Sequence, residues 1–163
     1  MLKSWSDINF RLVLLSRLLP PDHVRVPLAA RDKPGVLREL VDLLVATAGG
    51  SAEDILHAVR DREETQSTGF GHGIAIPHAR TPSLAALAIV AGRTEAPIVY
   101  GAVDGEPVRL FFLVAGPDAA AGDQVRALAR IARLVRRDVL REQLLAAVSA
   151  PDFARIVEQM ERA

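Results

Sequence analysis

STGFGHGIAIPHAR, residues Ser67–Arg80, decides how the rest of the chain is read. Gly69, Gly71 and Gly73 alternate with Phe70 and His72, and the segment then runs through Ile74, Ala75 and Ile76 into Pro77 and His78. Glycine at every second position suits tight turns and close backbone approach, since no Cβ obstructs either. A dinucleotide loop is excluded by context: a helical pattern precedes the glycines and no pyrophosphate-binding helix follows them. The Lys-Ser or Lys-Thr pair of a nucleoside-triphosphate loop is missing too. Pro77 fixes its own φ and so orients the chain entering His78. Imidazole has an ordinary pKa of about 6.5, so a neutral, nucleophilic nitrogen is available near neutral pH. Arg80 offers either a fork of donors to phosphoryl oxygens or an ordinary surface ion pair. On these residues alone the segment reads equally as a chemical site and as an unusual turn.

The flanks supply the architecture. Leu12–Leu19 reads as a short helix stopped by Pro20 and Pro21. Val24, Val26 and Leu28 alternate as in a strand, and Pro27 assigns that strand to an edge or a bulge. Asp32 caps a helix in which Val36, Leu37, Leu40, Val41 and Leu44 recur at helical spacing. Ser51 with Asp54 begins a second helix in the manner of a capping box; Ile55, Leu56 and Val59 form its apolar stripe, and His57 falls off that stripe toward solvent. Beyond the glycine segment, LAALAIVAG fits a buried strand or a short helix, and periodicity does not separate them. Asp104-Gly105 marks a turn, and VRLFFLV is a central strand ended at Gly116-Pro117. Helical spacing returns over Gln124–Val135, and a last helix over Pro151–Met160 has Ser149 as its cap. Helices flanking a mixed sheet in one α/β domain follow from this order.

Composition narrows the chemistry. The 163 residues contain no cysteine, which excludes disulfides and thiolate metal sites. Twenty basic residues balance twenty acidic ones, so no nucleic-acid partner is expected. Arg126, Arg130, Arg133, Arg136 and Arg137 read as a solvated helix face or as an anion- or partner-docking face. His72 and His78 are not spaced as a helical ligand pair, and four histidines in the whole chain are a thin inventory, so no metal and no cofactor is expected. No G-x-S-x-G elbow supports a serine hydrolase. Charged residues interrupt the apolar N-terminus at Asp7, Arg11 and Arg17, so neither a signal peptide nor membrane insertion is expected and a cytoplasmic protein is the default; Trp5, Ile8 and Phe10 pack on the domain or on a second subunit.

The segment from the preceding Arg62-Glu63-Glu64 through Ser67-Thr68-Gly69 to Ile74-Ala75-Ile76-Pro77-His78 resembles the active-site signature of the IIA domain of the bacterial phosphoenolpyruvate-dependent sugar phosphotransferase system, in its mannitol/fructose and nitrogen-regulatory branch. The resemblance implies an N-terminal extension over 1–12, a IIA type-2 domain over 13–163, and the mannitol/fructose-type IIA fold. It implies that His78 accepts a phosphoryl group from a phosphorylated histidine-containing carrier protein, with backbone donors around Gly71 and Gly73 stabilising the transferring oxygens, His72 supporting at most, and Arg80 as electrostatic helper or docking residue. Many members carry a second histidine where Gln124 stands in DQVRALARIARL; glutamine donates a hydrogen bond but does not titrate, which favours signalling over relay. The implied function is a regulatory phosphoacceptor that meets a target protein or a IIB component. A sugar-specific IIA carrier and a phosphorylation-independent binding module are the alternatives; neither the downstream target nor the oligomeric state is read from the residues.

Overall fold

The computed structural model describes residues 14–162. The expected extension over 1–12, the packing of Trp5, Ile8 and Phe10, and the start of the first helix lie outside the described residues. The elements in chain order are α1 (Leu15–Leu18), β1 (Val24–Leu28), α2 (Lys33–Ala48), α3 (Ala52–Thr65), β2 (Gly69–Gly71), β3 (Ile74–Ala75), β4 (His78–Arg80), β5 (Ala88–Ile98), β6 (Val108–Gly116), α4 (Ala121–Val135), α5 (Asp138–Ala146) and α6 (Ala150–Arg162).

The sheet has six strands in the order β1-β5-β6-β3-β2, with β4 also paired to β6. Its sense is mixed: β6 is antiparallel to β5 and parallel to both β3 and β4. Apart from Arg109, VRLFFLVAG is apolar along its length because β6 is covered on both faces. Phe111, Leu113 and Ala115 pack with the stripes of α2 and α3, whereas Leu110, Phe112 and Val114 pack with α4, α5 and α6. Successive side chains of a strand point to opposite faces, so one apolar run serves two cores. The same alternation resolves the second half of LAALAIVAG, from Ala88 on, as the start of β5: Ala88 and Val90 enter the first core, Ile89 and Ala91 the second.

The expected caps are made. Asp32 Oδ1 accepts from Gly35 N at 2.8 Å, Ser51 Oγ from Asp54 N at 3.3 Å, and Ser149 Oγ from Asp152 N at 3.2 Å. Asp152 Oδ2 in turn accepts from Val148 N at 3.2 Å, closing a reciprocal cap. Pro27 lies on edge strand β1, where the register with β5 shifts between Arg25 and Leu28. Helix α4 starts three residues earlier than Gln124, at Ala121, and so places Gln124 in its first turn.

Within the glycine segment β2 and β3 form a hairpin whose central residues, His72 and Gly73, have φ of 56° and 77°. Positive φ at both centres is the twist that joins adjacent strands through two residues. At the other end of this hairpin, a Cβ on Gly69 would lie 2.5 Å from Cα of Ala102. Gly69→Ala is therefore expected to destabilise the fold by about 2 kcal/mol, seen as a lower urea midpoint in equilibrium unfolding.

Candidate functional site

The last turns of α3, strand β4 and the first turns of α4 meet at one end of the sheet. They line an open cleft with Ala58, Asp61 and Arg62 from α3, His78, Ala79 and Arg80 from β4, and Gln124, Val125 and Leu128 from α4. Strand β4 is held in place by parallel pairing with the end of β6, His78 opposite Val114 and Arg80 opposite Gly116.

His78 is half-buried, and its Nδ1 donates to the carbonyl oxygen of Ile76 at 2.8 Å. A carbonyl oxygen only accepts, so the ring proton sits on Nδ1 and the lone pair is on Nε2. Burial is the largest influence on this imidazole and pulls its pKa below the ordinary 6.5; Arg62 and Arg80 pull in the same direction, against the Ile76 carbonyl and the Glu63 carboxylate. The ring is thus neutral near pH 7, with cations at hand for an anion rather than for the imidazole.

Arg62 is held by a hydrogen bond from Nη1 to Gln66 O at 2.8 Å. Its neighbour Glu63 turns the opposite way, into the protein, with 8% of its surface exposed. There the carboxylate accepts from Thr68 N at 2.9 Å and from the Thr68 hydroxyl, and pairs with Lys33 Nζ at 2.9 Å. Since the Thr68 hydroxyl donates to Glu63, the Tyr100 hydroxyl donates to Thr68 Oγ1, at 3.0 Å. Burial raises the Glu63 carboxyl, but the Thr68 and Lys33 contacts outweigh it and hold the pKa below 4.5. Burial also raises the Tyr100 phenol well above its ordinary value. This network ties the end of α3 to the start of β2 and so sets the turn from which Arg62 reaches the cleft.

Of the residues singled out in the sequence, His78, Arg80 and Gln124 come together here. Gly71, His72 and Gly73 do not, which corrects the expectation that they support the same site. Gly73 O accepts from Arg109 N and Leu110 N, at the opposite end of β6 from Val114. Four residue steps along the strand take Leu110 to Val114, about 13 Å. His72 is exposed, and its N donates to Asp104 Oδ2 at 3.0 Å, so it closes a hairpin tip. The two imidazoles of the motif consequently share no ligand set.

Sequence reasoning missed Arg62 and Asp61. The signal was helical spacing: Ala58 stands three and four residues before Asp61 and Arg62, which puts all three on one face of α3. Asp61 meets His57 Nε2 at 3.2 Å on that helix. The arginines of α4 divide: Arg126 pairs with Asp123 at 2.6 Å, Arg130 with the buried carboxylate of Glu161 at 2.8 Å, and Arg136 lies over the Phe70 ring at 5.6 Å. No helix among the described residues is long and apolar enough to cross a membrane.

Fold and cleft together define an α/β domain that presents one imidazole nitrogen, among cations, at the end of its sheet. The chain belongs to the family described as "Phosphoenolpyruvate-dependent sugar phosphotransferase system, EIIA 2", whose pattern matches residues 17–160. It is similar to a nitrogen regulatory protein of Bradyrhizobium diazoefficiens, 32% identical over 136 residues that cover 83% of this chain and 89% of the relative. It is also similar to the fructose-specific EIIABC component of Bacillus subtilis, 33% identical over 91% of this chain, though the match spans only 24% of that larger protein. Among solved structures, the nitrogen regulatory protein IIA-Ntr of Neisseria meningitidis superposes with a TM-score of 0.83 at 30% identity, covering 89% of this chain and 99% of that one. The chain is therefore a IIA domain with relatives named for nitrogen regulation.

Two outcomes follow from the geometry. In an NMR titration His78 is expected to protonate with a midpoint below 6.5, and Arg62→Ala to raise that midpoint. Glu63, whose folded pKa is depressed, contributes stability that is complete above 4.5 and lost as pH falls through the folded value. Glu63→Gln is expected to cost about 2 kcal/mol at neutral pH and to flatten the acid limb of the stability profile, checked by urea unfolding across pH.

Proposed function

We propose that this chain is a histidine phosphoacceptor of a phosphotransferase-type relay in which Nε2 of His78 takes the phosphoryl group. The observation that carries the reading is the hydrogen bond from His78 Nδ1 to Ile76 O, which leaves Nε2 as the free nucleophile in a cleft lined by Arg62, Arg80 and Gln124. The donor is a phosphorylated histidine-containing carrier protein. As the Nε2–P bond forms from the Nε2 lone pair, the N–P bond of the carrier breaks and its imidazole keeps the electron pair. The His78 ring becomes cationic while its proton stays on Nδ1, where the Ile76 carbonyl stabilises it. Arg62 and Arg80 face the phosphoryl oxygens, whose negative charge grows more exposed as the group passes between nitrogens. No cofactor is required, and a cytoplasmic setting fits a donor of this class.

The output is regulation. A phosphoryl group adds about 1.5 to 2 negative charges at neutral pH, enough to change the affinity of a partner for the cleft and its apolar rim at Val125 without a change of fold. The relatives named as nitrogen regulatory proteins are matched along most of their length, which favours this role. The similarity to a fructose-specific EIIABC component favours a second reading, onward transfer to a IIB component.

Incubation with phosphoenolpyruvate, the first enzyme of the system and its histidine carrier is expected to add one acid-labile phosphate to the wild type and none to His78→Ala, by intact mass. Arg62→Ala is expected to slow labelling by at least about tenfold. The labelling rate should hold as pH falls from about 8 to about 6.5 and decline only below that, as the depressed imidazole protonates. An unlabelled wild type beside an active carrier would sink the reading, and transfer to a matching IIB component would favour the sugar-specific one.

A further inference from the structure

The far end of α4 carries cations that neither the cleft nor the fold uses. Arg133 stands three and four residues before Arg136 and Arg137, so the three come together where the helix ends, away from its buried positions Ala127, Ile131 and Val135. All three are exposed, and none of them meets a carboxylate within ion-pair distance among the described residues. Acids close to them in the fold are engaged elsewhere: Asp138 pairs with Arg141 at 2.7 Å, and Glu161 with Arg130 at 2.8 Å. Like charges at this spacing repel, and here no anion offsets the repulsion. Arg136 is held instead by an aromatic ring, its guanidinium carbon 5.6 Å from the centre of the half-buried Phe70 ring on β2. A ring steadies a guanidinium and leaves its N–H fork for an acceptor. Two residues beyond Arg137, Val139 is 65% exposed at the start of α5.

The chemistry of this surface selects its occupant. Planar forks match carboxylates, with which arginines pair elsewhere in this chain, and Phe70 and Val139 offer apolar contact beside them. Twenty basic residues balance twenty acidic ones, so the molecule has no overall field to draw a nucleic acid. Three cations also fall short of the roughly four to eight that hold a segment to anionic lipid. We propose that Arg133, Arg136 and Arg137, with Phe70 and Val139, form a docking surface for a segment of a partner protein that carries glutamates or aspartates beside an apolar side chain. The surface is separate from the phosphoryl cleft: Arg133 and Arg136 follow Gln124 by nine and twelve residues, about 14 and 18 Å along the helix, beyond the screening length of about 8 Å at physiological salt. A partner can therefore be held here while the charge on His78 changes. The inference goes beyond the phosphoacceptor reading and stands without it.

The probe is a fluorescent peptide of glutamates around a single leucine, its binding to the full-length unphosphorylated chain read by anisotropy beside a copy with glutamine for glutamate. The glutamate peptide is expected to bind saturably and at least about tenfold more tightly than the glutamine copy. Arg133→Gln with Arg137→Gln is expected to weaken it by about tenfold and to leave the thermal midpoint unchanged or raised, because repulsion is relieved. Arg136→Lys keeps the charge without the fork and is expected to weaken binding by about threefold. Arg62→Ala, in the cleft, is expected to bind the peptide within about twofold of wild type. Absence of saturable binding, equal binding of both peptides, or a double glutamine variant within about twofold of wild type overturns the proposal. So does a loss of about tenfold in Arg62→Ala, which puts the peptide in the cleft. Tighter binding of duplex DNA or of phosphatidylserine vesicles through the same arginines, at the same salt, overturns it in favour of those ligands.

Discussion

Pairing to strand β6 is the constraint on which the rest of the structure depends. This one strand hydrogen-bonds to β5 along one side and to β3 and β4 in succession along the other. Its side chains feed both hydrophobic cores, so neither layer of helices can shift without disturbing the strand between them. Because β3 and β4 share one edge of β6 in parallel, Pro77 bridges from one to the other, and its carbonyl accepts from Val114 N at 3.0 Å. That succession carries the chain from the hairpin tip at one end of the sheet to His78 at the other. The position of the imidazole is thus a matter of register and does not depend on a loop finding its place.

Electrostatics finish what the register begins. Two consecutive residues at the end of α3 face opposite ways: Arg62 lines the cleft and Glu63 is buried against Lys33 and Thr68. A buried ion pair is a weak source of net stability, since desolvation offsets much of the attraction. Its geometric effect is larger. By engaging both the backbone N–H and the hydroxyl of Thr68, Glu63 fixes the connection into β2 and hence the turn at Gln66, whose carbonyl holds Arg62. The cleft that results combines a neutral imidazole with two guanidinium groups, an arrangement with more to offer an anion bound to the ring than the bare ring itself.

Much of this was legible in the sequence, and the reasons are local. Asp32, Ser51 and Ser149 announced their helices because a cap is a contact over three residues. VRLFFLV read as a central strand because burial on both faces leaves an unbroken apolar run from Leu110 to Val114. His78 stood out through Pro77 and the motif around it, and Gln124 through the resemblance, as the residue standing where many members carry a second histidine. What failed was distance. Alternating glycines near a histidine suggested one anion site, yet parallel pairing of both β3 and β4 to β6 stretches the segment and leaves Gly71, His72 and Gly73 at the far end. LAALAIVAG stayed ambiguous because a short apolar run carries no period, and only its neighbours in the sheet decide it. Arg62 looked like one charge among several in RDREE; its function is set by a buried contact of the residue beside it.

The central claim is that one hydrogen bond selects the reacting nitrogen, and it is tested most directly by 15N NMR of the phosphorylated protein labelled at histidine. Phosphorus–nitrogen coupling at Nε2 of His78, with the proton retained on Nδ1, is the result expected from the bond to Ile76 O. Coupling at Nδ1 of His78, or at His72, would contradict the account.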